Sequence, residues 1–402
     1  MRVLIVSHHA PPMASTGTLR VASFASHFVR EGHDVTLLTT AKRDDQRGEA
    51  ATPSGVALQE VPFSPPALLR RLRRGNMSGS RAEAAPKSFA GRVRERSGAF
   101  GSARAPDLTD AWVRPAVAHA TELAEQPWDL VVSSSGPYTA HLVARAIVRA
   151  GIADKWIADF RDLWTANPVF KGVPLVRAWE RRTERSVLRE ADAITTVAAP
   201  LCDWFSAQGC RRVREVRNGF DPDAEIDPAP AFESSGAFNV VYTGTIYPNQ
   251  PDPAGWLAGL RLSGRTVKLH IAGDRAYRWT GHSGPEVVVH GVLPRRRVLA
   301  MQRDADAILV LGTEGAGYGA LPVKMLDALP MRAPILLIGG PAHAPAVKLL
   351  ADSGRGSHLP PTAHAVAEAI AHPKDTPRVQ QVIDAHTREA QAARLSDLVQ
   401  RL

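Results

Sequence analysis

Short apolar, β-branched blocks alternate along the chain with stretches of helical period. "RVLIVS" (2–7), "DVTLLTT" (34–40), "DLVVSSS" (129–135), "KWIADF" (155–160) and "DAITTVA" (192–198) are apolar on both faces, as parallel strands beneath two helical layers must be. "TLRVASFASHFVREG" (18–32) has an amphipathic helical period and meets its stop at Gly32. This βαβ series predicts an α/β doubly wound sheet. A stretch rich in Pro, Asp, Ser and Ala, "DPDAEIDPAPAFESSGA" (221–237), has no period and reads as a linker. A second series follows: "FNVVYTG" (238–244), "VKLHIAG" (267–273), "EVVVHG" (286–291), "DAILVLG" (306–312) and "APILLIG" (333–339). The tail, 376–402, reads as helical throughout.

The expected organisation is an N-terminal Rossmann-like domain over 1–220, a linker over 221–237, a second Rossmann-like domain over 238–380, and a C-terminal helix over 381–402. Two such sheets should place ligands at the carboxyl ends of their strands, facing one another across a cleft.

Composition narrows the class. At 402 residues, with 44% hydrophobic and 22% charged residues, the chain is globular and long enough for two cores. No apolar run reaches the ~20 residues of a membrane span, and "MRVLIVSHHAPP" is too brief a hydrophobic stretch for a signal peptide. Cys202 and Cys210 are the two cysteines, so no disulfide framework and a reducing, cytoplasmic compartment are expected. The charge is clustered. Residues 62–106 carry nine Arg and Lys87 against Glu83 and Glu95, a net +8 of the chain's +9. A peripheral contact with an anionic membrane at the inner face is one reading of this insertion. A solvated loop is the other. With Phe63, Phe89 and Phe100 as its aromatics it has little to stack on bases, and no nucleic-acid partner is expected.

Candidate chemistry sits at strand ends. After the first strand, "SHHAPPMASTGTLR" carries Gly17 but no G-x-G-x-x-G, which argues against an NAD or FAD enzyme. Thr16, Gly17 and the helix start that follows are still a place for an anion, with Arg20 one turn in. A plain turn is the bland alternative, and His8 and His9 read first as structural histidines. "WIADFRDLWTANP" (156–168) packs Asp159, Arg161 and Asp162 at the end of a buried strand, where a site or an internal ion pair must offset their desolvation. Asn218-Gly219 is a turn signal. Gly244 and Thr245 end the first strand of the second domain, where backbone could approach a diphosphate.

"TEGAGYGALPVKMLDAL" completes the set, with Gly315, Gly317 and Gly319 in its loop and Pro322 at a first helical turn. Lys324 in that turn adds a point charge for an anion, and Asp327 on the same face could accept hydrogen bonds from vicinal hydroxyls. A surface ion pair between the two is the alternative.

In order along the chain, "APPMASTG", "EGHDVTLLT", "DLVVSSSGPYTAH", "ADFRDLW", "ERSVLREADAITTVAAPL", "NGFDPD", "VVYTGTIY", "IAGD", "VHGVLP" and "LPVKMLDALPMRAPIL" resemble a GT-B-fold glycosyltransferase, closest to the retaining enzymes of glycosyltransferase family 4 (glycosyl transferases group 1). The resemblance implies two Rossmann-like domains with the C-terminal helix packing back on the first. It implies a nucleoside diphosphate sugar as donor and an acceptor that is a sugar, a lipid-linked intermediate or a small molecule, with no metal and no other cofactor. Pro322, Val323, Lys324 and Asp327 fall on the family's P-x-K-x-x-E stretch with Asp for Glu, which implies Lys324 on the diphosphate and Asp327 on the ribose. Gly17 falls on the loop glycine that abuts the diphosphate. Arg161, followed by Asp162, stands where relatives often carry a catalytic-site histidine. Gly319 replaces a sugar-touching glutamate, and no Arg or Lys follows the "TG" strand directly; Arg275 or Arg278 could replace one charge. A nucleotide-sugar epimerase on the same fold and a non-catalytic binding subunit are the competing readings.

Overall fold

The computed structural model describes residues 1–65, 97–99, 104–168, 170–246, 250–273, 286–313, 321–373 and 377–402. Most of the basic 62–106 stretch, Gly315, Gly317, Gly319, Arg275 and Arg278 therefore lie outside the described residues. The chain divides into two compact units, Met1–Val216 with Ala392–Leu402, and Arg217–Gln391.

Among the described residues the first unit holds a parallel seven-stranded sheet. Its strands are β1 (Arg2–Ser7), β2 (Asp34–Thr40), β3 (Val56–Val61), β4 (Trp128–Ser134), β5 (Ala153–Phe160), β6 (Ala193–Thr196) and β7 (Val213–Glu215), in the order β3-β2-β1-β4-β5-β6-β7. The helices are α1 (Thr16–Arg30), α2 (Val113–Glu122), α3 (Thr139–Arg149), α4 (Arg177–Glu190) and α5 (Ala199–Ala207). Ser15 caps α1 by accepting from the Thr18 amide, and Gly32 follows the helix at φ +81°. The order reverses between β1 and β4, so the loops after those two strands flank a topological switch point.

The second unit repeats the plan with β8 (Phe238–Thr243), β9 (Val267–Ala272), β10 (Glu286–Gly291), β11 (Ala307–Leu311), β12 (Ile335–Ile338) and β13 (Gly356–Leu359), ordered β10-β9-β8-β11-β12-β13. Around it lie α6 (Pro253–Leu262), α7 (Arg295–Asp304), α8 (Val323–Ala328), α9 (Pro345–Ser353), α10 (Ala363–Ala371) and α11 (Gln380–Asp384). Successive residues of one strand feed opposite cores: Val241 joins Ile308, Met325 and Leu329, while Val240 and Tyr242 join Trp256, Leu309 and Ile338. The switch point lies between β8 and β11.

Two expectations about the segments change. The stretch read as a linker is folded onto the second unit: Ala231 belongs to its core, with Ala224, Ile226 and Phe232 packed against it, and Phe220 just before the stretch joins the same core. The tail is not one helix. Backbone groups at 386–388 turn away to Phe220, whose N–H donates to His386 O (3.1 Å) and whose carbonyl accepts from the Arg388 N–H (2.7 Å). Helix α11 therefore ends, and α12 (Arg388–Val399) starts anew behind Thr387, whose hydroxyl accepts from the Ala390 amide. Gly219 is needed here for closeness rather than for a turn, because a Cβ would overlap the backbone of Thr387 and Arg388. As the resemblance implied, the C-terminal helix packs on the first unit: Ala392, Leu395 and Leu398 share a core with Val3, Ile5, Phe24 and Phe28.

Candidate functional site

Each unit gathers chemical groups at its own switch point. In the first, Arg161 follows β5 and turns its guanidinium to the loop after β4, donating from Nε to Ser135 O and from Nη2 to Gly136 O (3.1 Å). From the other side it meets α1: a Cβ on Gly17 would overlap the Arg161 guanidinium and the Cβ of His9. Gly17 thus lets the first turn of α1, whose amides have no helical acceptor, lie directly against a cation. Burial, then the charge of Arg161, drives the His9 imidazole well below its ordinary pKa, so it is neutral; its Nδ1 lies 2.9 Å from the Ser15 hydroxyl. Asp162 is exposed beside this group.

Arg20 and Asp159 do not join it. Arg20 donates to both Asp159 oxygens (2.9 and 2.6 Å), and the carboxylate also accepts from Ser134 (2.7 Å) and Thr195 (2.8 Å). Both side chains are buried. Burial would raise the Asp159 carboxyl, but the Arg20 charge and these hydrogen bonds hold it below its ordinary value. The expected diphosphate ligand and one of the expected catalytic acids are therefore the two halves of an internal ion pair. Alternation along a strand end indicates that a charge is buried; it does not indicate whether another helix brings the opposite charge.

Lys42, which sequence reading passed over, braces the loop after β1. Its buried ammonium donates to His8 O (2.6 Å), Thr39 Oγ1 (2.7 Å), Thr40 O (2.8 Å) and Thr40 Oγ1 (2.9 Å). Burial brings its pKa down to about 7, against the opposing pull of Glu60. Its sequence signal is slight: one lysine just past a strand whose last residues are threonines.

In the second unit, Gly244 leaves β8 at φ +97°, and a Cβ there would lie 3.3 Å from Lys324 Nζ. Lys324 donates to the Tyr242 hydroxyl (2.9 Å) and lies 4.2 Å from the centre of that ring, a cation–π contact. Tyr242 in turn donates to Thr245 O (3.0 Å), so the carbonyl of Thr245 is turned inward. Burial lowers the Lys324 ammonium to about 8, and no carboxylate pairs with it among the described residues. Pro322 caps α8 and Val323 opens it; at six residues the helix is short, so the positive charge offered here is chiefly that of the lysine.

Asp327 is buried and already engaged. Arg295 grips both its oxygens (2.9 and 2.7 Å), and Arg388 Nη2 stands 3.9 Å from one of them. Sequence reading missed both arginines. Arg295 had a signal, because an arginine in the first turn of a helix opposes the macrodipole and calls for a partner.

Among the described residues no three His, Cys, Asp or Glu side chains form a metal-binding group, and no helix is long and apolar enough to cross a membrane.

The Glycosyl transferase 4-like domain model matches residues 16–219. No curated protein matches the chain by sequence. Solved structures match along its whole length. Sucrose-phosphate synthase from Thermosynechococcus elongatus is 12% identical with a TM-score of 0.62, covering 100% of this chain and 98% of its own. The UDP-forming α,α-trehalose-phosphate synthase from Burkholderia xenovorans, in complex with glucose-6-phosphate, is 13% identical with a TM-score of 0.64, covering 99% and 100%. The catalytic domain of starch synthase IV from Arabidopsis thaliana, bound to ADP and acarbose, is 11% identical with a TM-score of 0.59, covering 100% and 99%. At these identities the likeness is one of fold, and it is the GT-B fold of two Rossmann-like domains.

Proposed function

For a chain that belongs to the glycosyl transferase 4-like family, we propose transfer of a hexosyl group from a nucleoside diphosphate sugar to an acceptor hydroxyl, with retention of anomeric configuration. The observation that carries this reading is Lys324. It is a lysine at the switch point of the second unit, facing a side-chain-free Gly244 and lacking a carboxylate partner among the described residues. Such a cation is costly to keep unless an anion arrives to pair with it.

In this reading Lys324 and the backbone at Gly244 hold the diphosphate, and the ammonium balances the charge that grows on it as the glycosidic bond breaks. Asp327 contacts the ribose. Arg295 occupies one lone pair on each carboxylate oxygen, which leaves the others to accept from two vicinal hydroxyls. In the first unit, the Gly17 amide and Arg161 offer donors to an anion or a sugar oxygen, and Asp162 orients the acceptor or the transferring sugar. No metal or other cofactor takes part. The acceptor is a glycan, a lipid-linked intermediate or a small natural product. A UDP-sugar is the first donor to try, since the Burkholderia enzyme is UDP-forming, and ADP-sugars come second, since the Arabidopsis domain was bound to ADP.

A panel of nucleoside diphosphate sugars, read by release of the nucleoside diphosphate and by thermal shift, tests this. A donor that shifts the melting temperature, and whose affinity drops in both Lys324→Ala and Asp327→Ala, is expected. Unchanged affinity in both variants would remove the site assignment.

A further inference from the structure

The surface around the start of α4 has a composition that folding does not account for. Leu175, in the turn before the helix, is 96% exposed and Trp179, four residues on, is 47% exposed; Pro174 before them and Ala178 between them are exposed as well. A folded chain gains nothing by holding a leucine and a tryptophan together in water; contiguous apolar exposure marks a surface that meets something else.

The charges around this patch are of one sign. From Lys171 to Arg189 the exposed charged side chains are Lys171, Arg181, Arg182, Arg185 and Arg189. The two acids of this stretch are turned inward and occupied. Glu180 holds Arg104 through two bonds (3.0 and 2.8 Å), and Glu184 accepts from the Thr165 hydroxyl and amide. Up to Arg189 the helix thus carries both signs of charge in its sequence but exposes only the positive one; Glu190, its last residue, is half-buried and held by Arg149 (2.7 and 2.6 Å). Arg104 is also the end of the 62–106 stretch with its net +8. Its bond to Glu180, and the Gly172 N–H donated to Ser97 O (2.9 Å), anchor that end on α4 and the turn before it.

We propose that this face docks on an anionic lipid bilayer, with Leu175 and Trp179 entering the headgroup boundary and the surrounding Lys and Arg side chains reaching lipid phosphates. Tryptophan and leucine beside arginines are the side chains an interfacial helix uses: the indole and the aliphatic chain leave water while the guanidinium groups stay at the phosphate level. A basic rim matches an anionic membrane and repels a second copy of the same basic face, so charge complementarity selects the bilayer over self-association. The docked state places the first unit at the surface where a lipid-linked acceptor resides. That last consequence rests on the transfer reading; the docking does not.

Co-sedimentation of the full chain with vesicles tests it, comparing phosphatidylcholine alone with phosphatidylcholine containing phosphatidylglycerol. Pelleting with the anionic vesicles, and weaker pelleting with the neutral ones, is expected. A Leu175→Ser, Trp179→Ser double variant and an Arg181→Glu, Arg185→Glu double variant should each lose binding about tenfold or more while keeping the melting temperature, since all four side chains are exposed. Failure of the wild-type chain to bind anionic vesicles overturns the proposal. So does wild-type binding that survives in both variants, which would transfer it to the basic stretch upstream of Arg104. A dimer in solution that the Leu175→Ser, Trp179→Ser variant converts to monomer, with no vesicle binding, would make the face a contact between copies and equally overturn it. The assay reads binding alone, so its failure leaves the transfer reading standing, and failure of the donor panel leaves the docking standing.

Discussion

Arg295 holds Asp327 by two parallel hydrogen bonds, 2.9 and 2.7 Å long, from the first turn of α7 to the fifth residue of α8. The pair fixes the carboxylate's rotamer and selects which lone pairs face outward. Asp327 is buried while Arg295 keeps about a third of its side chain exposed, so removal of the arginine leaves a carboxylate short of partners. Arg295→Met should cost about 1–3 kcal/mol of stability and weaken nucleoside diphosphate binding about tenfold, read by urea unfolding and calorimetry. A 2′-deoxyribose analogue should lose less affinity in that variant than in the wild type, because the hydroxyl contact has already been impaired.

Lys324 predicts a pH dependence with a defined sign. Only the ammonium attracts a diphosphate, and burial brings its pKa down to about 8. Affinity should be level below that pH and fall about tenfold per unit above it. Bound diphosphate stabilises the ammonium, so the fall tracks titration of the free protein. Lys324→Ala should bind more weakly throughout and lose this slope. The unliganded protein behaves in the opposite sense. An unfolded lysine keeps its proton to about 10.5, so this group adds stability as pH rises from about 8 toward that value, visible as a rising melting temperature without ligand.

Arg20 and Asp159 should behave as structure, not as chemistry. Asp159→Asn or Arg20→Met leaves one buried charge without its partner and should cost about 3–5 kcal/mol in denaturant unfolding. Nucleoside diphosphate binding, placed in the second unit, should persist below the lowered melting point. The contribution of the depressed Asp159 carboxyl is present in full above the unfolded value, near pH 3.8, and is lost as pH falls through its lower folded value. Intact stability with abolished turnover would return Asp159 to the catalytic set.

Gly17 tests the first unit. A methyl group there overlaps the Arg161 guanidinium, so Gly17→Ala should displace Arg161 from the carbonyls of Ser135 and Gly136. Turnover should drop about a hundredfold, as misplacement by an ångström costs, with a small change in melting temperature. Steady-state kinetics beside a thermal melt separates the two effects.

Legibility in the sequence followed burial. Central strands such as β1, β4, β8 and β11 are sandwiched on both faces and must be apolar throughout, so their blocks stand out. The strands that passed unread, β3 and β13, are both at sheet edges, where one side lacks a neighbour and a short, half-polar run suffices. The same limit applied to the sites. Lys324 and Gly244 were found because each ends or follows a recognisable strand. Arg295 and Arg388 were not, because their roles depend on a partner far along the chain, and Lys42 was not, because nothing local shows that its ammonium is buried.

The sequence by itself determined the two α/β repeats, the family, and the positions at which strand ends would carry chemistry, since hydrophobic period and turn glycines are local properties. Only the tertiary structure decided which charges are available. Arg20 and Asp159 lie 139 positions apart and neutralise one another inside the first unit, whereas Lys324 meets a tyrosine and a glycine and remains without a carboxylate among the described residues. Electrostatic pairing is settled by distance in space and by the water excluded around it, and neither can be read from the order of residues along the chain.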